Sequence, residues 1–267
     1  MKLDILMSCM HQSDDALIAA SRITGSAVVI NQCDREEERE YPTQNGRVRF
    51  ISTTQRGLTR SRNMAIASSG ADVCLLCDDD EVFVAGYEQK ILSAYEQLPQ
   101  ADVVIFKMVN RPCPFGGELR QLKFPQTMHV ASWQISFRRE SLLRAGVCFD
   151  ELLGAGTGNG AEEELKFLLD CQRAGLQIWY APVEIASVAQ EESTWFAGFN
   201  EKFFYDRGAT TRYILGAPLA AAYGLYYVAR KKAMYQNDIT PARALGAIFR
   251  GMADNKITKQ ARQRKGR

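Results

Sequence analysis

The chain has 267 residues, 46% hydrophobic and 24% charged, and a formal net charge of +2. Such a composition is ordinary for a soluble globular protein, with no internal repeat or long low-complexity segment, and the length allows one large domain or two small ones with a sizeable core. Charge is uneven: Val228 to Arg267 holds eleven Lys or Arg against two acids, which leaves the rest of the chain at a net −7. An acidic body with a basic tail suggests either an anionic partner for that tail or a solvated C-terminus, and no nucleic-acid partner is predicted.

"LDILMSC" at 3–9 predicts a buried strand, and "SDDALIAASRI" a capped helix. "SAVVINQ" is a second strand, with Asn31, Gln32, Cys33 and Asp34 at its end. "REEEREYPTQNG" reads as a polar loop, and "RVRFIS" as a third strand. "GLTRSRNMAIASSG" is a helix between Gly57 and Gly70, and "DVCLLCDDD" a fourth strand. "GYEQKILSAYEQLP" is a helix stopped by Pro99, and "ADVVIFKMV" a fifth strand. Strands alternating with helices predict a largely parallel sheet, which binds ligands at the C-terminal ends of its strands. Three polar clusters fall there: Ser8 to Gln12, Asn31 to Asp34, and Asp78 to Glu81. The second half is less regular. "RPCPFGGELRQLKFPQ" is a loop, "ASWQISFRRESLLRAG" a strand entering a helix, and "ELLGAGTGNGAEEELKFLLDCQRAGLQIWYAPV" a glycine-rich loop, a helix and a strand.

The seven cysteines are odd in number and scattered. Asp4 interrupts any secretory pattern at the N-terminus, so reduced thiols in a cytosolic compartment are expected. Cys74 and Cys77 form a C-x-x-C, but on a strand they point to opposite faces, and no second pair follows at zinc spacing. His11 and His129 are the two histidines and show no metal spacing.

Asp78, Asp79, Asp80 and Glu81 end an apolar strand. Adjacent carboxylates repel one another. Three readings compete for them: a charged, soluble turn; a haloacid-dehalogenase-type phosphatase, with "DDDEV" supplying Asp78 as nucleophile and Asp80 as acid; or a D-x-D site for a nucleotide-sugar. In the third, Asp78 and Asp80 project to one side of an extended segment. Magnesium or manganese held by one or two carboxylates and the donor's phosphates would neutralise the leaving diphosphate.

The run "RGLTRSRNMAIASSGADVCLLCDDDEVF" resembles the strip G-L-x-x-x-R-N, small residue, strand, D-x-D-D of family 2 glycosyltransferases, with Gly57, Leu58, Arg62, Asn63, Asp78 and Asp80 matching and Glu81 in place of the fourth acid. "AVVINQCDR" and "QEESTWFAGFNEKFFYDRGA" look like a bacterial branch that builds capsule, exopolysaccharide or O-antigen chains. The resemblance implies an α/β fold: a GT-A, Rossmann-like, mostly parallel sheet flanked by helices, with a C-terminal helical extension. It also implies roles. Asp78 would touch the donor's ribose or the metal, with Asp79 beside it, and Asp80 would ligate the metal. Ser8 and Met10 would line the nucleotide pocket. Asn31 and Gln32 stand where the family usually has two aspartates, one of which reads the base; amides still pair with uracil edges, so UDP is favoured. Arg62 would brace the nucleotide or ion-pair with a carboxylate.

Glu162, Glu163 and Glu164 open a helix, where acids are also favoured by the helix dipole. Transfer with inversion needs a carboxylate to take the acceptor's proton. The family's base is the second acid of a pair eleven residues before a glycine; counting back from Gly175 gives Glu164, with Glu163 preceding it. The "GAGTGNG" stretch lacks a P-loop signature and would form a mobile loop beside the acceptor. Gln190 occupies a metal-ligand position, where Glu191 could substitute. Trp195 and Phe196 would stack on the acceptor sugar or serve as core aromatics.

"YILGAPLAAAYGLYYVA", residues 213–229, is apolar and followed at once by "RKK". Seventeen residues lie at the low edge of a membrane span, so an interfacial helix against anionic lipid competes with a core helix or a dimer contact. The expectation is a catalytic domain over 1–212 and a helical, basic extension over 213–267. The enzyme would be a metal-dependent, inverting glycosyltransferase, cytoplasmic and peripheral at the inner membrane face. It would act on a growing surface polysaccharide or lipid-linked glycan, with a homo-oligomer possible. A non-catalytic nucleotide-sugar or carbohydrate binder on the same fold is the alternative.

Overall fold

The computed structural model describes residues 1–160, 162–189 and 198–265. Its contacts divide the chain into two compact units, one of residues 1–149 and 164–191, the other of 150–163 and 192–267. The expected junction between residues 212 and 213 falls inside a helix, α6 (Glu201–Leu215).

The first unit contains β1 (Leu3–Met10), α1 (Ala16–Ala20), β2 (Ser26–Gln32), β3 (Glu37–Pro42), β4 (Arg47–Thr53), α2 (Leu58–Ser68), β5 (Val73–Asp78), β6 (Glu81–Phe83) and α3 (Tyr87–Gln97). It continues through β7 (Val103–Met108), β8 (Arg120–Gln121), β9 (Ile135–Arg138), α4 (Arg139–Ala145), α5 (Glu163–Arg173, its first residue in the second unit) and β10 (Ile178–Val188). The sheet order is β3-β4-β2-β1-β5-β9-β7-β10-β6, with β8 on β10. β4, β2, β1 and β5 are mutually parallel, as the alternation of strands and helices predicts. β9 inserts antiparallel between β5 and β7.

Side chains alternate across the strands. Ile5, Met7, Val29, Leu75 and Phe106 pack with Ile91 and Tyr95 of α3 on one face. Leu6, Ile30, Leu76 and Ile105 pack with Ile66 of α2, Leu142 of α4 and Phe167 and Leu168 of α5 on the other. Cys74 and Cys77 go to these opposite faces.

The stretch read as a polar loop at 35–46 corrects to strand β3, an antiparallel edge on β4. Backbone bonds create it and charge pairs decorate it: Glu38 with Arg49, and Glu40 with Arg47. Such a strand has no apolar alternation to betray it, and charged side chains suit an edge.

The second unit holds α6, α7 (Ala217–Arg230), α8 (Lys232–Tyr235), α9 (Pro241–Asp254) and α10 (Lys256–Lys265). α6 and α9 approach so closely that a Cβ on Gly208 would lie 2.1 Å from the Ile248 carbonyl oxygen, and one on Gly251 2.0 Å from that of Tyr205. Only glycine permits such backbone contact. The apolar stretch 213–229 is not one helix: Gly216, at φ 78°, ends α6 and begins α7. Among the described residues no helix is long and apolar enough to cross a membrane.

Candidate active site

Register brings the predicted clusters together. Ser8 lies opposite Asp78, and Met10 opposite Gln32, at the C-terminal edge of the parallel strands. Ser8 is buried and its hydroxyl accepts from Ser61 Oγ of α2 at 2.8 Å; Met10 is half-buried. Asn31 is wholly buried. Its Oδ1 accepts from the Gln12 backbone N–H at 2.9 Å, and its Nδ2 donates to Gln12 O at 2.9 Å and Ser52 Oγ at 3.1 Å. Gln32 Oε1 accepts the Gly57 N–H at 2.7 Å, at the start of α2. The two amides at the base-reading positions are thus engaged inside the protein: one fastens the loop after β1, the other the first turn of α2.

Arg62 is the hub. It is 2% exposed, on the inner face of α2. One guanidinium nitrogen donates to Asp78 Oδ1 at 3.2 Å, another to Glu164 Oε1 at 3.1 Å, and its carbon lies 5.4 Å from the centroid of the Phe149 ring. A planar fork of donors suits this double engagement. Asp78 Oδ2 accepts from Ser132 Oγ at 2.9 Å, so both of its oxygens are held. Asn63, the next residue of α2, bonds the Phe149 backbone in both directions, at 2.9 and 2.8 Å. The two acidic clusters recognised in sequence therefore meet on one buried cation. Ser61 and Ser132, which secure Ser8 and Asp78, carry no signal in the sequence; only the fold brings them here.

Asp79 and Asp80 form the turn between β5 and β6. Crowding by protein atoms, then the charges of Asp78 and Asp80, raise the Asp79 carboxyl above its usual range, although much of its surface is open to solvent. Glu81 turns inward and is 1% exposed. Its Oε1 accepts the Asp78 N–H at 2.7 Å, and its Oε2 has no hydrogen-bond partner. Burial first, and Asp78 next, push its carboxyl well above the ordinary value, which favours the protonated form beneath the turn.

Among the described residues no group of three or more His, Cys, Asp or Glu stands ready for a metal ion. The donor set nevertheless fits a hard cation of the magnesium type, which takes one or two carboxylates and fills its remaining positions with phosphate and water oxygens. Such a cation would offset the repulsion from Asp78 and Asp80 that, after burial, raises Asp79. Gln190, Glu191, Trp195 and Phe196 lie outside the described residues.

Glu163 is buried and Glu164 half-buried at the start of α5. Just before them, Glu162 has a positive φ of 71°, rare for a residue with a side chain. In the second unit it pairs with Arg207 of α6, whose guanidinium also donates to Tyr223 Oη at 2.9 Å and lies 4.2 Å from the Tyr227 ring centroid. No local pattern in the sequence marks Arg207 for this role. The glycine-rich loop, expected to be mobile, is closed by its own hydrogen bonds: Thr157 Oγ1 to Gly154 O at 2.7 Å, Gly154 N–H to Asn159 O at 3.1 Å, and Asn159 Nδ2 to Leu152 O at 2.9 Å.

Residues 28–147 match the family model described as Glycosyl transferase family 2, a span that includes Arg62, Asp78–Asp80 and Ser132 and ends before Glu164. No match is found among curated proteins. Among solved structures, S. aureus TarS 1-349 aligns over 100% of this chain and 92% of its own, with TM-score 0.60 and 14% identity. Its complex with UDP aligns over the same shares at TM-score 0.59 and 13% identity. Its complex with UDP-GlcNAc aligns over 100% and 93% at TM-score 0.58 and 14% identity. The likeness is one of fold: a GT-A, Rossmann-like, mostly parallel sheet flanked by helices, with a helical C-terminal region.

Proposed function

We propose that the protein is a glycosyltransferase, a reading supported by the family 2 match over residues 28–147, and that it moves one sugar, with inversion, from a nucleotide-sugar to a growing surface polysaccharide or lipid-linked glycan. The bacterial branch that builds capsule, exopolysaccharide or O-antigen remains the expected setting, at the inner face of the cell membrane. UDP is the favoured nucleotide, a reading supported by the UDP and UDP-GlcNAc complexes of TarS.

The observation that carries the proposal is Arg62 joining Asp78 to Glu164. Asp78, held on both oxygens, offers a fixed carboxylate edge for the donor's ribose. Asp80, with Asp78, would hold magnesium or manganese, which when bound supplies Lewis-acid neutralisation of the diphosphate. Glu164 accepts the acceptor hydroxyl's proton as its oxygen attacks the anomeric carbon. Arg62 keeps that carboxylate in place until the acceptor arrives. Ser8 and Met10 line the nucleotide side of the edge. Asn31 and Gln32 act by shaping that side through Gln12 and Gly57.

Glu164→Gln should keep the thermal shift produced by UDP-sugars with manganese and lose transfer and donor hydrolysis by a factor of about 10² or more. Unchanged turnover in this variant would remove Glu164 from the role. If no nucleotide-sugar shifts the melting temperature of the parent protein, the donor assignment falls.

A further inference from the structure

α7 presents the wrong kind of surface to water. Its inner side packs Ala220, Gly224, Tyr227 and Val228 into the helical unit. Its outer side is Pro218, Leu219, Ala222, Leu225, Tyr226 and Ala229, all exposed. At 100° per residue these six fall on one continuous arc, and no charged residue interrupts it. Leu219, Leu225 and Tyr226 are 51%, 52% and 52% exposed. A surface helix normally turns charges outward and apolar residues inward; here both sides are apolar. Arg230, Lys231 and Lys232 follow, all exposed, with Met234 56% exposed just beyond.

We propose that the outer face of α7 is a docking surface for an anionic lipid bilayer. The helix is 14 residues long, about 21 Å, too short for a hydrocarbon core of about 30 Å, so it lies in the interface plane. Leu219, Leu225 and Tyr226 enter the headgroup–acyl boundary, and the tyrosine ring suits that boundary because one end is apolar and the other wet. Arg230, Lys231 and Lys232 meet the lipid phosphates, and the surplus of basic residues from Val228 to Arg267 adds longer-range attraction. Charge complementarity is what selects lipid over a second copy of this chain: pairing two such faces across a twofold axis would bring their basic ends into a shared interface with no acid on the outer arc to offset them. The proposal is independent of the chemistry at Asp78–Asp80.

The test is sedimentation of the full chain with phosphatidylcholine vesicles, with and without phosphatidylglycerol, at low and high salt. The parent protein should pellet with the anionic vesicles and much less with phosphatidylcholine alone or at high salt. Leu225→Glu/Tyr226→Glu should lower that partitioning on the order of tenfold or more, with far-UV circular dichroism and the nucleotide-sugar thermal shift unchanged. Arg230→Gln/Lys231→Gln/Lys232→Gln should remove the salt-dependent part. Absence of binding by the parent protein, or equal binding by the Leu225/Tyr226 variant, would overturn the proposal. So would a parent dimer in light scattering that this variant converts to monomer without loss of vesicle binding. Because the nucleotide thermal shift is read on the same samples, failure of the lipid face is distinguishable from failure of the donor assignment.

Discussion

Replacing Arg62 with methionine deletes a cation and nearly conserves volume. The cavity contribution is therefore small, and the effect is electrostatic. Arg62 is 2% exposed, and its contacts include Asp78 at 3.2 Å, Glu164 at 3.1 Å and the Phe149 ring. Breaking a fully buried ion pair costs about 3–5 kcal/mol, because the partner is left charged without compensation. Here the partners keep some water, with side-chain exposures of 27% for Asp78 and 19% for Glu164. That places Arg62→Met at the low end, about 3 kcal/mol. Arg62→Lys keeps a charge but not the planar fork; a point charge holds one carboxylate well and the other poorly, so about half the loss is expected. Urea unfolding followed by far-UV circular dichroism gives both values. UDP-sugar transfer, assayed under conditions where each variant is folded, should fall further than donor binding, because Glu164 loses its fixed position. An Arg62→Met protein with an unchanged midpoint and slope, or with parent-like transfer, would refute the reasoning that this arginine joins the two clusters.

Glu81→Gln keeps an acceptor for the Asp78 N–H and removes a buried acid. The folded carboxyl titrates well above its ordinary value of 4.5, so its contribution is complete at pH below that value and is lost as pH rises toward the folded pKa. Melting temperatures of metal-free protein should show the variant gaining on the parent as pH rises above 4.5, the carboxyl's ordinary value; a difference flat with pH contradicts a raised Glu81 carboxyl. Gly251→Ala would set a Cβ 2.0 Å from the Tyr205 carbonyl oxygen and should destabilise the helical unit by about 1–3 kcal/mol. Gly246→Ala is its control: the nearest atom is the end of the Arg250 side chain at 3.8 Å, and better helix propensity should leave stability equal or up to about 1 kcal/mol higher in the same thermal melt.

The sequence by itself determined the parallel core of this fold. Apolar runs such as those of β1, β2 and β5 carry their own period, and the residues that stop them mark where the strand ends and the ligand edge begins. That is why Asp78–Asp80 stand out in the linear chain, whereas Arg62 and Glu164 stand out only through the resemblance to family 2 glycosyltransferases. Only the tertiary structure decided what these residues do to one another. Strand β3 is invisible in sequence because an edge strand is defined by its neighbour's backbone. β9 lies between β5 and β7, although strand order has no trace in local pattern. Asn31 and Gln32 stand at the base-reading positions in sequence, but only the fold shows their side chains also holding Gln12 and Gly57. Arg62 reaches 16 residues forward to Asp78 and 102 to Glu164. Periodicity is written in consecutive side chains, whereas a buried charge chooses its partners from whatever the folded chain brings within about 3 Å.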